Sequence, residues 1–111
     1  MNAKSANVQQ CQQPIMVTPR DLSRMKPTPL IIDVQNSRYP TNKLPQARSL
    51  TANAIVEKIP RQQPILLACL SGYQSFRIAQ FLMQKGYQQV YVLQGGVLAW
   101  QRTGFTVSRK Q

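Results

Sequence analysis

The sequence has no histidine, only three acidic residues (Asp21, Asp33 and Glu57) and two cysteines in 111 residues. Without histidine, every scheme in which an imidazole activates a serine or cysteine nucleophile is closed. The two cysteines, Cys11 and Cys69, do not form a Cys-x-x-Cys pair, so a structural zinc site lacks ligands. No metal and no cofactor are expected. Glycine is scarce at five residues, which excludes a collagen-like or linker chain, and no apolar run is long enough to span a membrane. The opening stretch MNAKSANVQQCQQ lacks the apolar segment of a secretory signal, so the expected location is cytoplasmic.

What is present is apolar material and positive charge. Apolar residues make up 42% of the chain, enough at this length to fill one core, and the length is too short for two domains. Fourteen Lys and Arg against three acids leave a net charge of +11, while sixteen glutamines keep polarity without negative charge. A field of that sign concentrates anions, whether small oxyanions, nucleic acid, acidic headgroups or an acidic protein partner. It does not choose among them. The basic residues are scattered from Lys4 through Arg48 and Arg61 to Lys110, and a solubilising surface accounts for them equally well.

Along the chain, residues 1–13 read as a flexible polar tail and 14–111 as the folded domain. Ile15 to Val17 suggests a short strand, and Thr18-Pro19-Arg20-Asp21 carries the signals of a helix start: a Thr cap, Pro at the first position and an acid three residues after the cap. That helix is expected to end near Met25, ahead of Pro27 and Pro29. Leu30 to Val34 is an almost wholly apolar run of strand length, the pattern of a strand buried on both faces. Residues 35–46 carry loop chemistry, Ala47 to Leu50 reads as a short strand, and Thr51 can cap a helix with Ala54, Ile55 and Ile59 on one side. Pro64 to Cys69 is a further apolar strand. A helix is expected from Ser75, through Ile78, Phe81 and Leu82, to a cap at Gly86. Val90 to Leu93 reads as a strand, and Gly95-Gly96 turns the chain into a last helix with Val97, Leu98 and Trp100, ended by Gly104. Strand and helix in strict succession predict one α/β domain, with a mostly parallel central sheet and helices on both faces.

In such sheets, ligands bind beyond the carboxyl ends of the strands. Cys69 ends a strand there, and Leu70, Ser71, Gly72, Tyr73, Gln74 and Ser75 form a loop short enough for backbone amides to curl around the sulfur. Amide donors and the following helix favour a thiolate without any histidine. The bland alternative is a small buried hydrophobe at a strand end. Asp33 reads as structural, accepting loop amides, Trp100 as core, and Gly95-Gly96 as a tight turn without the spaced glycines of a phosphate-binding motif. Tyr73 either lines the site or flanks it. Cys11 is an incidental thiol or a resolving partner for Cys69.

Four ordered blocks resemble the rhodanese (sulfurtransferase) family: Leu30 to Val34 with Asp-Val at the strand end; Leu44-Pro45-Gln46-Ala47; Ile65 to Ser75; and Gly86-Tyr87 through Val90-Tyr91-Val92-Leu93-Gln94-Gly95-Gly96 to Trp100 and Gly104. The resemblance runs from about residue 14 to the end. It implies a single rhodanese-like domain in which Cys69 takes a sulfane sulfur from a donor such as thiosulfate or a persulfide, carries it as a persulfide cradled by the amides of Leu70 to Ser75, and passes it to a thiol or protein acceptor. The sequence departs from the family where basic residues often follow the cysteine or end the loop: here stand Leu70 and Gln74, so thiosulfate loses a direct cationic contact. The family's Asp-Val-Arg reads Asp33-Val34-Gln35, and its acid-aromatic pair reads Arg38-Tyr39. Two other functions fit the same architecture. One is a non-catalytic rhodanese-like module that binds an acidic partner or RNA. The other is a phosphatase or arsenate-reductase-like enzyme, which needs an Arg six residues after the cysteine, where Ser75 stands, with Arg77 following inside the helix.

Overall fold

Three apolar runs, Leu30–Asp33, Ile65–Ala68 and Val90–Leu93, build the centre of the molecule. The structure, a computed structural model, describes residues 13–35 and 41–109. Cys11 and the rest of the tail up to residue 12, and Arg38 with Tyr39, lie outside the described residues. The elements run β1 (Ile15–Val17), α1 (Pro19–Arg24), β2 (Leu30–Asp33), β3 (Asn42–Lys43), β4 (Arg48–Ser49), α2 (Ala52–Lys58), β5 (Ile65–Ala68), α3 (Tyr73–Gln84), β6 (Val90–Leu93), α4 (Gly96–Arg102) and β7 (Ser108–Arg109). Five strands form one sheet in the order β1-β6-β5-β2-β4, with every pairing parallel. None of the described helices is long and apolar enough to cross a membrane.

Alternation along the strands divides the core in two, as a sheet with side chains on opposite faces requires. Ile32, Val34, Ile65, Leu67, Val90 and Val92 meet Ile55 and Ile59 at α2 and Ala79 and Leu82 of α3 on one face. On the other, Leu66, Ala68 and Leu93 meet Leu22 of α1 and Val97 of α4. Cys69 belongs to the α2/α3 face.

The helix starts follow their local chemistry. At Thr18 a capping box closes: the Thr18 hydroxyl accepts from the Asp21 amide at 3.1 Å and the Asp21 carboxylate accepts from the Thr18 amide at 3.2 Å. Thr51 caps α2 through the Ala54 amide at 3.1 Å. The far ends of α2 and α3 are tied together by Arg61, whose guanidinium donates to the carbonyls of Val56 (3.1 Å) and Lys85 (2.8 Å) and lies 4.9 Å from the Tyr87 ring centroid. A cation there also meets the negative ends of two helices. The buried Tyr87 hydroxyl shares its proton between the carbonyls of Ile55 (2.8 Å) and Ile59 (2.6 Å).

Three expectations need correction. The helix after Cys69 begins at Tyr73 rather than Ser75, with Gly72 as its cap at φ +100°. Part of the expected loop 35–46 is a strand: β3 pairs antiparallel with β7 in a separate two-stranded sheet. Trp100 is half-buried rather than core; its ring lies against Phe105 at 4.6 Å, and its indole N–H donates to the Thr106 carbonyl at 2.6 Å. The polar edge of an indole needs such a partner, which holds it at the periphery.

Candidate active site

β5 is the middle strand of the sheet, and Cys69 directly follows its carboxyl end. The Sγ atom is nearly buried, the residue being 3% exposed. Two backbone amides point at it: Gly72 at 3.1 Å and Ser75 at 3.3 Å. The amides of Leu70, Ser71, Tyr73 and Gln74 make no such bond, so the cradle expected from six residues is drawn by two. The reason is the early helix start. Once Gly72 caps α3, the Phe76 amide turns back to the Gly72 carbonyl at 3.1 Å, and of the amides at the helix start those of Gly72 and Ser75 are the ones that reach the sulfur. A sulfur that receives N–H donors at the start of a twelve-residue helix is placed to hold negative charge.

The loop is held from behind by α4. The Val97 amide donates to the Cys69 carbonyl at 2.9 Å and the Leu98 amide to the Leu70 carbonyl at 3.1 Å. Both carbonyls are thereby fixed by α4. This contact requires glycine at residue 96, where φ is +65° and a Cβ would overlap the same two carbonyl oxygens. From the sequence alone, Gly95-Gly96 reads only as a tight turn. The signal for more was its position, since a turn leaving β6 must lie beside the turn leaving its parallel neighbour β5.

The remaining loop residues divide by exposure. Leu70 (53%) and Tyr73 (70%) are exposed and present apolar surface at the rim. The Arg77 guanidinium lies 6.0 Å from the Tyr73 ring centroid. Ser75, six residues after the cysteine, is fully buried, and its hydroxyl has no hydrogen-bond partner among the described residues. Asp33 is buried and accepts the Gln35 amide at 2.7 Å and the Gln35 side-chain Nε2 at 3.0 Å, so it organises the loop after β2.

A cavity of about 300 Å³ opens next to the loop, between the end of β2, the β4–α2 connection and α3; Gln35, Ser49, Ala52 and Gln74 are on its walls. Its apolar walls, Val34, Leu50 and Ile78, belong to the same core cluster as Cys69. Three segments distant in sequence build it.

Comparison with known proteins adds a lineage to this geometry. A model of the rhodanese-like domain family matches residues 18–103. A protein of Allochromatium vinosum named sulfurtransferase is 30% identical over 82 residues, covering 70% of this chain and 77% of that protein. The thiosulfate sulfurtransferase GlpE of Actinobacillus pleuropneumoniae is 31% identical over 52 residues, and the match spans about half of each protein, 47% of this chain and 48% of that one. Among solved structures, the rhodanese-like domain of an Anabaena sp. protein superposes with a TM-score of 0.75 at 21% identity, covering 87% of this chain and 80% of that one. At that identity the likeness is one of fold.

Proposed function

Because the chain belongs to the family of rhodanese-like domains, we propose that it is a sulfurtransferase in which Cys69 is the nucleophile and sulfur carrier. The Cys69 thiolate attacks the sulfane sulfur of a donor. As the new S–S bond forms, the old one breaks, and its electron pair leaves with the remainder, sulfite when the donor is thiosulfate. The persulfide on Cys69 then gives its terminal sulfur to a thiol or protein acceptor by the same displacement. No oxidant is consumed, because the sulfur moves as a neutral atom.

The observation that carries this reading is the pair of amides from Gly72 and Ser75 on a nearly buried Sγ. They supply the charge stabilisation that an imidazolium supplies elsewhere, in a chain with no histidine. The phosphatase-like alternative has less support: Ser75 occupies the place of the required arginine, and the Arg77 side chain rests on Tyr73. Intact-mass measurement after exposure to thiosulfate, and separately to a cysteine desulfurase with cysteine, tests the proposal. A gain of one sulfur, about 32 Da, on Cys69 is expected; no gain from either donor overturns it.

A further inference from the structure

The face of the sheet that carries α1 and α4 is covered unevenly. Both helices leave the carboxyl ends of their strands, and at six and seven residues they run about 9 to 11 Å, less than the roughly 13 Å of a four-residue strand. The register sets Ile15, Tyr91, Leu66 and Ile31 in one row across that face. One step toward the carboxyl ends Val17 and Leu93 are buried, whereas in this row Ile15 is 48% exposed and Tyr91 and Ile31 are half-buried. Beyond the row, at the amino ends of β2, β5 and β6, a cavity of about 470 Å³ opens, a volume that suits a small molecule. Pro29, Pro64, Gln89 and Tyr91 form its floor, and Met25 and Lys26, on the connection from α1 to β2, form a wall. It lies at the opposite end of the sheet from Cys69.

Its polar groups are donors. The backbone oxygens of the floor are engaged in the sheet: the Pro64 carbonyl accepts the Leu30 amide at 3.0 Å and the Gln89 carbonyl accepts the Ile65 amide at 3.1 Å. The Gln89 Nε2 donates to the Tyr91 hydroxyl at 3.3 Å, so the hydroxyl oxygen is the acceptor of that pair and its own proton points elsewhere. Lys26 adds three N–H donors and a positive charge. The chain has only three acidic side chains, and all of them lie away from this cavity: Asp21 in the capping box of α1, Asp33 buried at the carboxyl end of β2 and Glu57 on α2. The Tyr91 ring and the proline rings supply flat apolar surface. We propose that this cavity binds a small aromatic carboxylate, its ring against Tyr91 and the prolines and its carboxylate at Lys26 and the Tyr91 hydroxyl. The inference is independent of the chemistry at Cys69. The net charge of +11 draws such an anion toward the protein, and the donors of the cavity select it there.

The test titrates the isotope-labelled protein with 2-naphthoate, and separately with 2-naphthamide, which has the same rings and no charge, and follows the backbone amide chemical shifts. Saturable shifts are expected at Met25, Lys26, Gln89 and Tyr91, with the carboxylate bound at least about threefold more tightly than the amide. Lys26→Gln should remove that preference. Gln89→Glu, which sets a carboxylate beside the Tyr91 hydroxyl, should weaken 2-naphthoate at least about threefold and leave 2-naphthamide unchanged. Lys58→Gln removes an exposed cation on α2 and lowers the net charge by the same amount as Lys26→Gln, yet should change neither affinity. No saturable shift at those four residues, equal affinity for the two probes, or a preference that survives Lys26→Gln overturns the inference. So does an effect of Lys58→Gln as large as that of Lys26→Gln, because the general field rather than the cavity would then hold the anion.

Discussion

The contact between Gly96 and the Cys69 loop makes the sharpest demand on the sequence, and Gly96→Ala tests it. At φ +65° an alanine carries a left-handed penalty of about 1–2 kcal/mol. The added methyl would also overlap the carbonyl oxygens of Cys69 and Leu70, which accept from the Val97 and Leu98 amides. Relieving the overlap lengthens both hydrogen bonds, each contributing about 0.5–1.5 kcal/mol net. The sum, about 2–5 kcal/mol, is a large part of the stability of a domain this size, and the melting temperature should fall by at least about 10 °C. Gly104→Ala is the control, since φ is +96° there and nothing lies within 4 Å of the added methyl. It should show the backbone penalty alone. Thermal unfolding followed by circular dichroism measures both, and sulfur loading of Cys69 below the transition reports the cradle. Equal shifts for the two variants, or normal loading in a Gly96→Ala protein, would refute the claim that α4 holds the loop.

Other perturbations read different parts of the molecule. Cys69→Ser should retain the fold and lose sulfur acquisition, because the oxygen is a poor nucleophile with no general base beside it, whereas Cys11→Ser should leave turnover nearly unchanged; steady-state assays and intact mass check both. Thiosulfate should show a high KM that rises with salt, and Gln74→Arg should lower it, a charge-assisted hydrogen bond contributing roughly 1.5–3 kcal/mol before screening; a KM raised by Gln74→Arg counts against the missing cation as the cause. Tyr87→Phe should cost about 1–3 kcal/mol in urea unfolding, because two buried helix-end carbonyls lose their shared donor. Ser75→Ala should cost nothing or stabilise slightly, since it deletes a buried hydroxyl without a partner; a loss of more than about 1 kcal/mol would mean that the hydroxyl is bonded in solution.

The parallel sheet was legible because Leu30 to Val34, apart from Asp33, Ile65 to Ala68 and Val90 to Leu93 are apolar without alternation, the pattern of strands covered on both faces. The starts of α1 and α2 were legible because Thr18 and Thr51 are side-chain caps. The start of α3 was not, since Gly72 caps it without a side chain and the helical spacing of apolar residues begins only after the exposed Tyr73 and Gln74. β3 and β7 have two residues each, too short for any periodicity, and exist through pairing across the chain. At the candidate site, the cysteine and its loop stand together in the sequence, so both can be read there. The restraint from Val97 and Leu98 and the cavity walls come from segments that only folding brings together.

The scarcity of acids shapes more than the net charge. Two of the three carboxylates are occupied by amide donors: Asp21 receives the Thr18 amide and Asp33 receives two donors of Gln35. Several cations in turn find carbonyls and aromatic rings: Arg61 reaches Lys85, Val56 and Tyr87, Lys43 reaches Ala47, and Lys85 lies 5.3 Å from the Phe81 ring centroid. Charge therefore enters the fold through helix ends and rings, while many basic side chains, Arg20, Arg24, Arg48, Lys58 and Arg102 among them, remain exposed. Their field acts over roughly 10 Å at moderate salt and draws anions toward the surface. Among the described residues, none of those lining the cavity next to the Cys69 loop is charged. Raising the salt should therefore slow the approach of an anionic donor, because it screens that long-range attraction.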